Sequence, residues 1–352
     1  MAYLDAIRGF AILLVVYCHV ASVSLGISDV VPSFNNIVGF IHLPLFFFLS
    51  GFLFFKPGRF NEWKNIHPVL LKRFLQLVVP ATVFVIIYAL IFNRSFDSIL
   101  FSRFKGGYWF TYFLFIFIFL YCILSWALYK LNGKQDNAIF LFALSLVIGF
   151  TPVALDKLYP GTPDSRLLQA LSYQEFYFFI FFCFGALFKS KYVLYEKMRN
   201  RWVYEALMIA LPFVLLLIQG LKLPLFDFTV TVLFSFSVVI LIYSVFQKDE
   251  SFFSDRGFGR FMSFVGRRSL DIYFLHFFFL PDLHSVGKFF YETPNPLLEL
   301  VLSSVIAAII VSVCLLISHI VRGSVFLAKL LFGRSDDDKL IQRRHGDNNL
   351  IS

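Results

Sequence analysis

The chain has 352 residues, of which 59% are hydrophobic and only 15% are charged, with a mean hydropathy of +0.77. Soluble domains carry roughly 25% charged residues, so this composition excludes an ordinary soluble protein and predicts an integral membrane protein. The formal net charge of +9 is explained by membrane topology and by contact with anionic membrane lipids, and it requires no nucleic-acid partner.

Ten apolar segments follow one another along the chain, and each is near the ~20 residues that a helix needs to cross a bilayer. They run over residues 7–27, 34–55, 74–92, 109–129, 138–155, 170–188, 202–219, 225–246, 269–287 and 297–321. The sequence therefore predicts an all-α fold, a polytopic bundle of about ten transmembrane helices. Residues 1–321 would form this single domain, and residues 322–352 a polar tail.

Lysine and arginine are distributed unevenly between the loops on the two sides of these predicted helices. The side with both termini collects 24 of the 31 basic residues, and the other side collects seven. Cytoplasmic loops of membrane proteins carry the excess of Lys and Arg, so both termini are predicted to be cytoplasmic. No cleavable signal peptide is evident before the first apolar segment.

The first apolar segment contains two ionisable residues, Arg8 and His19, in the sequence LDAIRGFAILLVVYCHVAS. Eleven residues of helix amount to three turns plus about 20° and roughly 16 Å of rise, so the two side chains share one face. An ionisable group inside a membrane span is costly and indicates a functional site. Arg8 would hold an anion at the membrane boundary, and His19 would be a base near mid-depth.

Other polar residues are predicted at membrane depth. His42 lies in the second segment, Glu175 in the sixth, and Tyr273 and His276 in the ninth. Each histidine alone is explained equally well as a structural partner of a backbone carbonyl, and Glu175 as one half of a structural pair between helices. Several such residues in one bundle favour a polar cavity. The spacing of the histidines predicts no metal site, because neither HxxxH nor HExxH occurs.

Two pairs of basic residues open predicted helices at the cytoplasmic side, Lys72 with Arg73 and Arg267 with Arg268. They predict an anion site or, alternatively, only the anchoring typical of cytoplasmic loops. Ser50 and Gly51 close the second segment, where a small residue lets the backbone approach a ligand or lets two helices pack closely. Trp109 opens the fourth segment and is typical of the aromatic belt at a membrane interface.

Taken together, these motifs resemble those of the integral-membrane acyltransferase family 3, whose bacterial members O-acylate cell-surface sugars. The resemblance covers the whole chain. It rests on LDAIRG with the histidine eleven residues after its arginine, on FFFLSGF at 46–52, KRFLQLVVP at 72–80, GYWFTYFL at 107–114 and SLDIYFLH at 269–276. In that family a second arginine often stands three residues after the one matched by Arg73, and here that place is Gln76.

The resemblance implies an O-acyltransferase in the bacterial cytoplasmic membrane that uses acyl-CoA, usually acetyl-CoA, as co-substrate without a further cofactor. Arg8 and His19 match the residues regarded as essential in the family. The phosphates of CoA suit the basic residues of the cytoplasmic side because guanidinium groups match phosphate geometry. The predicted donor-binding residues are Arg8, Ser50, Lys72, Arg73, Arg267 and Arg268.

The acceptor would be a carbohydrate hydroxyl that arrives from the outer side, and surface-polysaccharide biosynthesis proteins are the expected partners. His42, Glu175 and Trp109 are the predicted acceptor-side residues, and Tyr273 and His276 the supporting ones. His19 would act as general base or would first accept the acyl group itself. The sequence leaves both routes open.

Two other functions compete with this interpretation. A secondary transporter or exporter of a lipid-linked sugar also carries ionisable residues inside the membrane, but no two-fold repeat of hydropathy is visible in the sequence. A non-catalytic assembly subunit would tolerate replacement of His19.

Overall fold

The fold is described from a computed structural model, which defines residues 1–27, 33–158, 173–199, 227–248 and 257–333, together with 206, 210–212, 214, 215, 252 and 253. Within these ranges the regular elements are helices and no β-strand occurs. The α-helices are α1 Ala2–His19, α2 Asn35–Val38, α3 His42–Phe54, α4 Trp63–Arg73, α5 Val79–Ile91, α6 Phe96–Leu100, α7 Trp109–Asn132, α8 Ala138–Leu158, α9 Phe178–Ser190, α10 Tyr192–Arg199, α11 Asp227–Lys248, α12 Gly257–Arg267, α13 Ser269–Leu275, α14 His284–Glu292, α15 Pro296–Val321 and α16 Val325–Phe332.

Short helical turns of other types extend or join these helices. Two are π-helical: Val20–Ser24 extends α1 at its C-terminal end, and Phe74–Val78 connects α4 to α5. The 3₁₀ turns lie at Lys105–Gly107, Tyr173–Tyr177 and His276–Phe279.

Six helical runs in the described part of the chain are long and apolar enough to cross a membrane. They are Ala2–Ser24, Asn35–Phe54, Trp63–Ile91, Trp109–Asn132, Thr229–Lys248 and Pro296–Val321. Shorter apolar helices, Ala138–Pro152 and Ser269–Phe279, fall at two more of the predicted spans. The prediction of an all-α transmembrane bundle is therefore confirmed. The count of ten spans and the side of the termini stay predictions, and the predicted span 202–219 lies largely outside the described residues.

The ninth predicted span, 269–287, is not one helix. Helix α13 ends at Leu275, a 3₁₀ turn comes next, and the backbone is extended at Leu280 before α14 begins at His284. Pro281 explains the break, because proline lacks an N–H group and disfavours helical backbone at the residue before it. His276 consequently lies where the α-helix changes into the 3₁₀ turn.

Two pairs of helices approach each other through reciprocal glycines. Gly9 of α1 and Gly266 of α12 each face the backbone of the other helix, and so do Gly51 of α3 and Gly185 of α9. At all four positions a Cβ would overlap a carbonyl oxygen of the partner helix. Such small residues let membrane helices pack at short range. Gly51 therefore serves helix packing, one of the two alternatives that the sequence left open.

The segment after α15 is not entirely the polar tail predicted for residues 322–352. Helix α16 begins after Ser324, whose side chain accepts a hydrogen bond from the N–H of Leu327, and ends at Gly333 in the left-handed conformation. These are the usual caps of a short helix. Phe332 at its end is fully buried, so this part of the segment belongs to the packed bundle. Residues 334–352 lie outside the described residues.

Candidate active site

A cavity of about 400 Å³ opens inside the bundle among α1, α3, α4, α7 and α13. Helix α1 contributes Arg8, Ile12, Val15 and His19 to its wall. These positions are four, three and four residues apart, the spacing of one helix face. Arg8 and His19 therefore line the same cavity, on the shared face that their spacing predicts, with two apolar side chains between them.

Three cations lie in the wall of this cavity, namely Arg8, Lys72 and Arg73. Arg8 Nη1 lies 3.1 Å from Asp5 Oδ1, and about a third of the Arg8 side chain is exposed. Arg73 Nη1 donates to Gln76 Oε1 over 3.4 Å. Gln76 also lines the cavity. The site therefore combines positive charge with amide and guanidinium hydrogen-bonding groups, a combination that suits phosphate.

His19 is in contact with a second histidine from another helix. His19 Nδ1 lies 2.9 Å from His276 Nε2, and the ring centroids are 5.0 Å apart in a stacked arrangement. His276 is fully buried and is not part of the cavity wall. The sequence named His276 as a supporting residue but gave no reason to pair it with His19, since the two are 257 positions apart.

His42 also lines the cavity. Its Nδ1 donates to the carbonyl oxygen of Val38 over 2.8 Å. The carbonyl can only accept, so the proton is on Nδ1 and the Nε2 of a neutral His42 carries a lone pair. His42 can therefore accept a hydrogen bond from a hydroxyl group in the cavity.

Ser50, Trp109 and Tyr273 complete the predicted residues in the wall. Trp109 is 9% exposed and packs against Phe178, with ring centroids 5.7 Å apart, so it is a wall residue of the bundle. The Tyr273 hydroxyl donates to the carbonyl oxygen of Gly107 over 2.8 Å. This bond fixes α13 to the loop that precedes α7.

Four of the predicted site residues lie outside this wall: Glu175, Arg267, Arg268 and His276. Glu175 is 4% exposed and forms an ion pair with Arg103, whose Nη2 lies 2.6 Å from its Oε1. An ion pair of this kind agrees with a structural role of Glu175, although Arg103 lies in a turn and not in the neighbouring helix that the sequence suggested. The Arg268 guanidinium faces Asp271, with Nη1 3.9 Å from Oδ2.

Gly107 and Phe332 are among the wall residues that were not predicted as site residues. Gly107 carries a φ of +93°, and Phe332 reaches the cavity from α16. The sequence signal for Phe332 was the apolar run VFLAKLLF between Ser324 and Gly333, which has the form of a capped helix. Gly107 stood in the motif GGYWF, where paired glycines indicate special backbone geometry.

A π-helical turn begins directly after His19 and another directly after Arg73, and both residues line the cavity. The turn Val20–Ser24 starts after His19, and the turn Phe74–Val78 starts after Arg73. Phe74–Val78 lies between two α-helices, and single π-turns inside helices occur frequently at functional sites. Their position agrees with the location of the cavity.

The wall of the cavity combines the cations Arg8, Lys72 and Arg73 with the imidazoles His19 and His42, and Arg8 and His19 share one face of α1. It can hold an anionic group near Arg8 and activate a hydroxyl group near His19. A family model described as an acyltransferase domain matches residues 1–318. No curated protein and no solved structure matches the chain.

Proposed function

Since the chain belongs to acyltransferase family 3, we propose that it transfers an acyl group, acetyl in the first instance, from acyl-CoA to a carbohydrate hydroxyl. The acceptor is a cell-surface or lipid-linked sugar. The protein lies in the bacterial cytoplasmic membrane, with the donor arriving from the cytoplasm and the acceptor from the outer side. The predicted excess of basic residues on the side of Arg8 supports this orientation.

One observation supports this proposal above all others: the cations and His19 line a single cavity. The eleven residues from Arg8 to His19 rise by roughly 16 Å, which suits the long, thin pantetheine arm of CoA. Arg8, Lys72 and Arg73 bind the phosphates, and Ile12 and Val15 line the path between them and His19. The thioester then lies beside the imidazole.

His19 is the base of the transfer. The acceptor hydroxyl gives its proton to the imidazole as its oxygen attacks the thioester carbonyl. The new C–O bond forms, the C–S bond breaks, and the thiolate of CoA leaves and takes the proton from the imidazolium. In the alternative route His19 first accepts the acyl group and then passes it to the hydroxyl. His42 and Trp109 lie in the same wall and provide hydrogen bonds for the acceptor.

Release of free CoA by the purified protein tests this function. In detergent, the protein should consume acetyl-CoA in the presence of a sugar acceptor, and acetylated sugar should appear in equal amount. His19→Ala and His19→Asn should lower turnover on the order of 10²-fold or more, because general-base catalysis contributes that much. Donor affinity, measured by direct binding, should change little.

His67→Asn is the matched control, because His67 is exposed on α4 and does not line the cavity. It should keep the turnover of the unmodified protein. An exporter of a lipid-linked sugar would release no CoA, and a non-catalytic subunit would be indifferent to the change at His19. Full activity of folded His19→Asn would contradict the proposal.

A further inference from the structure

A continuous chain of hydrogen bonds runs from the backbone of α13 to the cavity through two imidazole rings. His276 Nδ1 lies 3.1 Å from the carbonyl oxygen of Ile272, and His276 Nε2 lies 2.9 Å from His19 Nδ1. A carbonyl oxygen has no proton to donate, so Nδ1 of His276 must carry one. In the neutral ring Nε2 then carries a lone pair and accepts from its neighbour.

The direction of the hydrogen bond between the two imidazoles determines the tautomer of His19. Because His276 Nε2 accepts, His19 Nδ1 must donate, and the proton of a neutral His19 is placed on Nδ1. The opposite tautomer would set two lone pairs against each other at 2.9 Å. The second nitrogen of His19, Nε2, is then unprotonated, and His19 lines the cavity.

We infer that His276 is a positioning residue that holds His19 in the tautomer with an unprotonated Nε2, the form that acts as base or nucleophile toward the cavity. The inference deepens the proposed function and rests on it for its catalytic consequence. His276 itself does not touch the substrate, since it is fully buried behind the wall. The role corresponds to that of the third member of a catalytic triad, which orients the imidazole of the base.

The same bond acts after His19 has taken up a proton. The imidazolium keeps its proton on Nδ1 and continues to donate to His276, whose lone pair stabilises the positive charge. A neutral imidazole stabilises this charge less than a carboxylate does, so loss of His276 should cost less than loss of a triad carboxylate. Two adjacent imidazolium ions would repel each other strongly, so the pair carries at most one charge.

Local structure explains why His276 can make both bonds. The α-helix ends at Leu275, and the residues from His276 form a 3₁₀ turn ahead of Pro281. The ring of Phe277 packs against both histidines, with centroids 4.7 Å from His19 and 4.3 Å from His276. These contacts leave the two imidazoles little freedom to turn.

Nitrogen NMR of the full-length protein with ¹⁵N-labelled histidine tests the tautomer directly, because chemical shifts separate protonated from unprotonated ring nitrogens. His19→Asn and His276→Gln assign the signals by difference. We expect a proton on Nδ1 and none on Nε2 in both rings. A proton on Nε2 of His19, or an equal mixture of its tautomers, would overturn the inference whether or not the protein shows transferase activity.

Kinetics of two substitutions at His276 test the catalytic consequence. His276→Phe keeps an aromatic ring but removes the acceptor, and kcat should fall on the order of 10- to 100-fold with little change in the KM of either substrate. His276→Gln keeps an acceptor oxygen at similar reach and should restore most of kcat. Wild-type kcat in folded His276→Phe would overturn the role. If His276→Phe does not fold, His276→Gln alone tests the role. A fall in kcat on the order of 10- to 100-fold in folded His276→Gln, with His19 still in the expected tautomer, would then overturn the positioning role of His276.

Failure of this inference and failure of the proposed function are distinguishable. An unmodified protein that releases no CoA would contradict the proposed function, whereas the NMR experiment would still report the tautomer of His19. An active protein whose His19 carries its proton on Nε2 would contradict the role of His276 alone.

Discussion

Gly107 lies directly against the ring of Phe277, so that a Cβ at Gly107 would occupy space that the ring fills. Phe277 in turn contacts both His19 and His276. The carbonyl oxygen of Gly107 also accepts a hydrogen bond from the hydroxyl of Tyr273. The loop before α7 thus limits where the ring of Phe277 can lie. Because this ring contacts both histidines, the loop also limits the space available to them.

Gly107→Ala should therefore reduce turnover strongly. The new methyl group must displace the ring of Phe277, and the φ of +93° at this position is unfavourable for any residue with a Cβ. Displacement of catalytic groups by about 1 Å costs on the order of 10²-fold in rate. Steady-state kinetics of CoA release measure the effect. Gly133→Ala is the matched control, because Gly133 has a φ of +69° with nothing within 4 Å of the added Cβ, and it should keep normal turnover.

Arg8→Lys should weaken binding of acyl-CoA while much of the turnover survives at saturating donor. Lysine keeps the charge but loses the planar guanidinium that binds phosphate through two hydrogen bonds. A tenfold loss of affinity, equivalent to about 1.4 kcal/mol, is the expected magnitude in a direct binding measurement. Arg260→Lys changes an exposed arginine of α12 that is not in the wall and should have no effect. Unchanged donor affinity in Arg8→Lys would remove Arg8 from the donor site.

Asp271→Asn should destabilise the bundle. Asp271 is fully buried, and Arg322 binds it through two hydrogen bonds, from Nε at 2.7 Å and from Nη2 at 2.8 Å. The substitution leaves the buried guanidinium without a counter-charge, which costs ~3–5 kcal/mol. Thermal unfolding in detergent should show a clearly lower Tm.

The control for Asp271→Asn is an exposed ion pair. Glu62 lies 2.6 Å from Lys64, and the hydrogen bond from Lys64 lowers the pKa of Glu62. Both side chains are more than half exposed, so water and salt screen their interaction. Glu62→Gln should leave the Tm nearly unchanged, and an equal loss in both variants would contradict the special role of the Asp271–Arg322 pair.

Glu175→Gln and Arg103→Gln should each lower the Tm, because each breaks the ion pair that holds Glu175. The KM for the acceptor should change little in either variant, since neither side chain lines the cavity. Acceptor kinetics together with thermal unfolding distinguish a role of Glu175 in acceptor binding from a structural role in the ion pair with Arg103. A raised acceptor KM with an unchanged Tm in Glu175→Gln would assign it to the acceptor site instead.

The sequence alone determined the class of the protein and the central feature of its site. Apolar length is a local property of the chain, so the all-α membrane bundle follows from composition and segment length. Helical periodicity is local as well, and it places Arg8 and His19 on one face without knowledge of any other helix. The motifs that resemble acyltransferase family 3 agree with the family to which the chain belongs.

Only the tertiary structure decided which of the other polar residues meet. It pairs His19 with His276, joins Glu175 to Arg103, places Arg267 and Arg268 outside the cavity wall, and brings Phe332 into it. Sequence spacing reports the face of a helix but not its neighbours, which depend on how helices far apart in the chain pack against one another. Here that packing depends on reciprocal glycine contacts, and no local pattern of the sequence identifies the partner of each glycine.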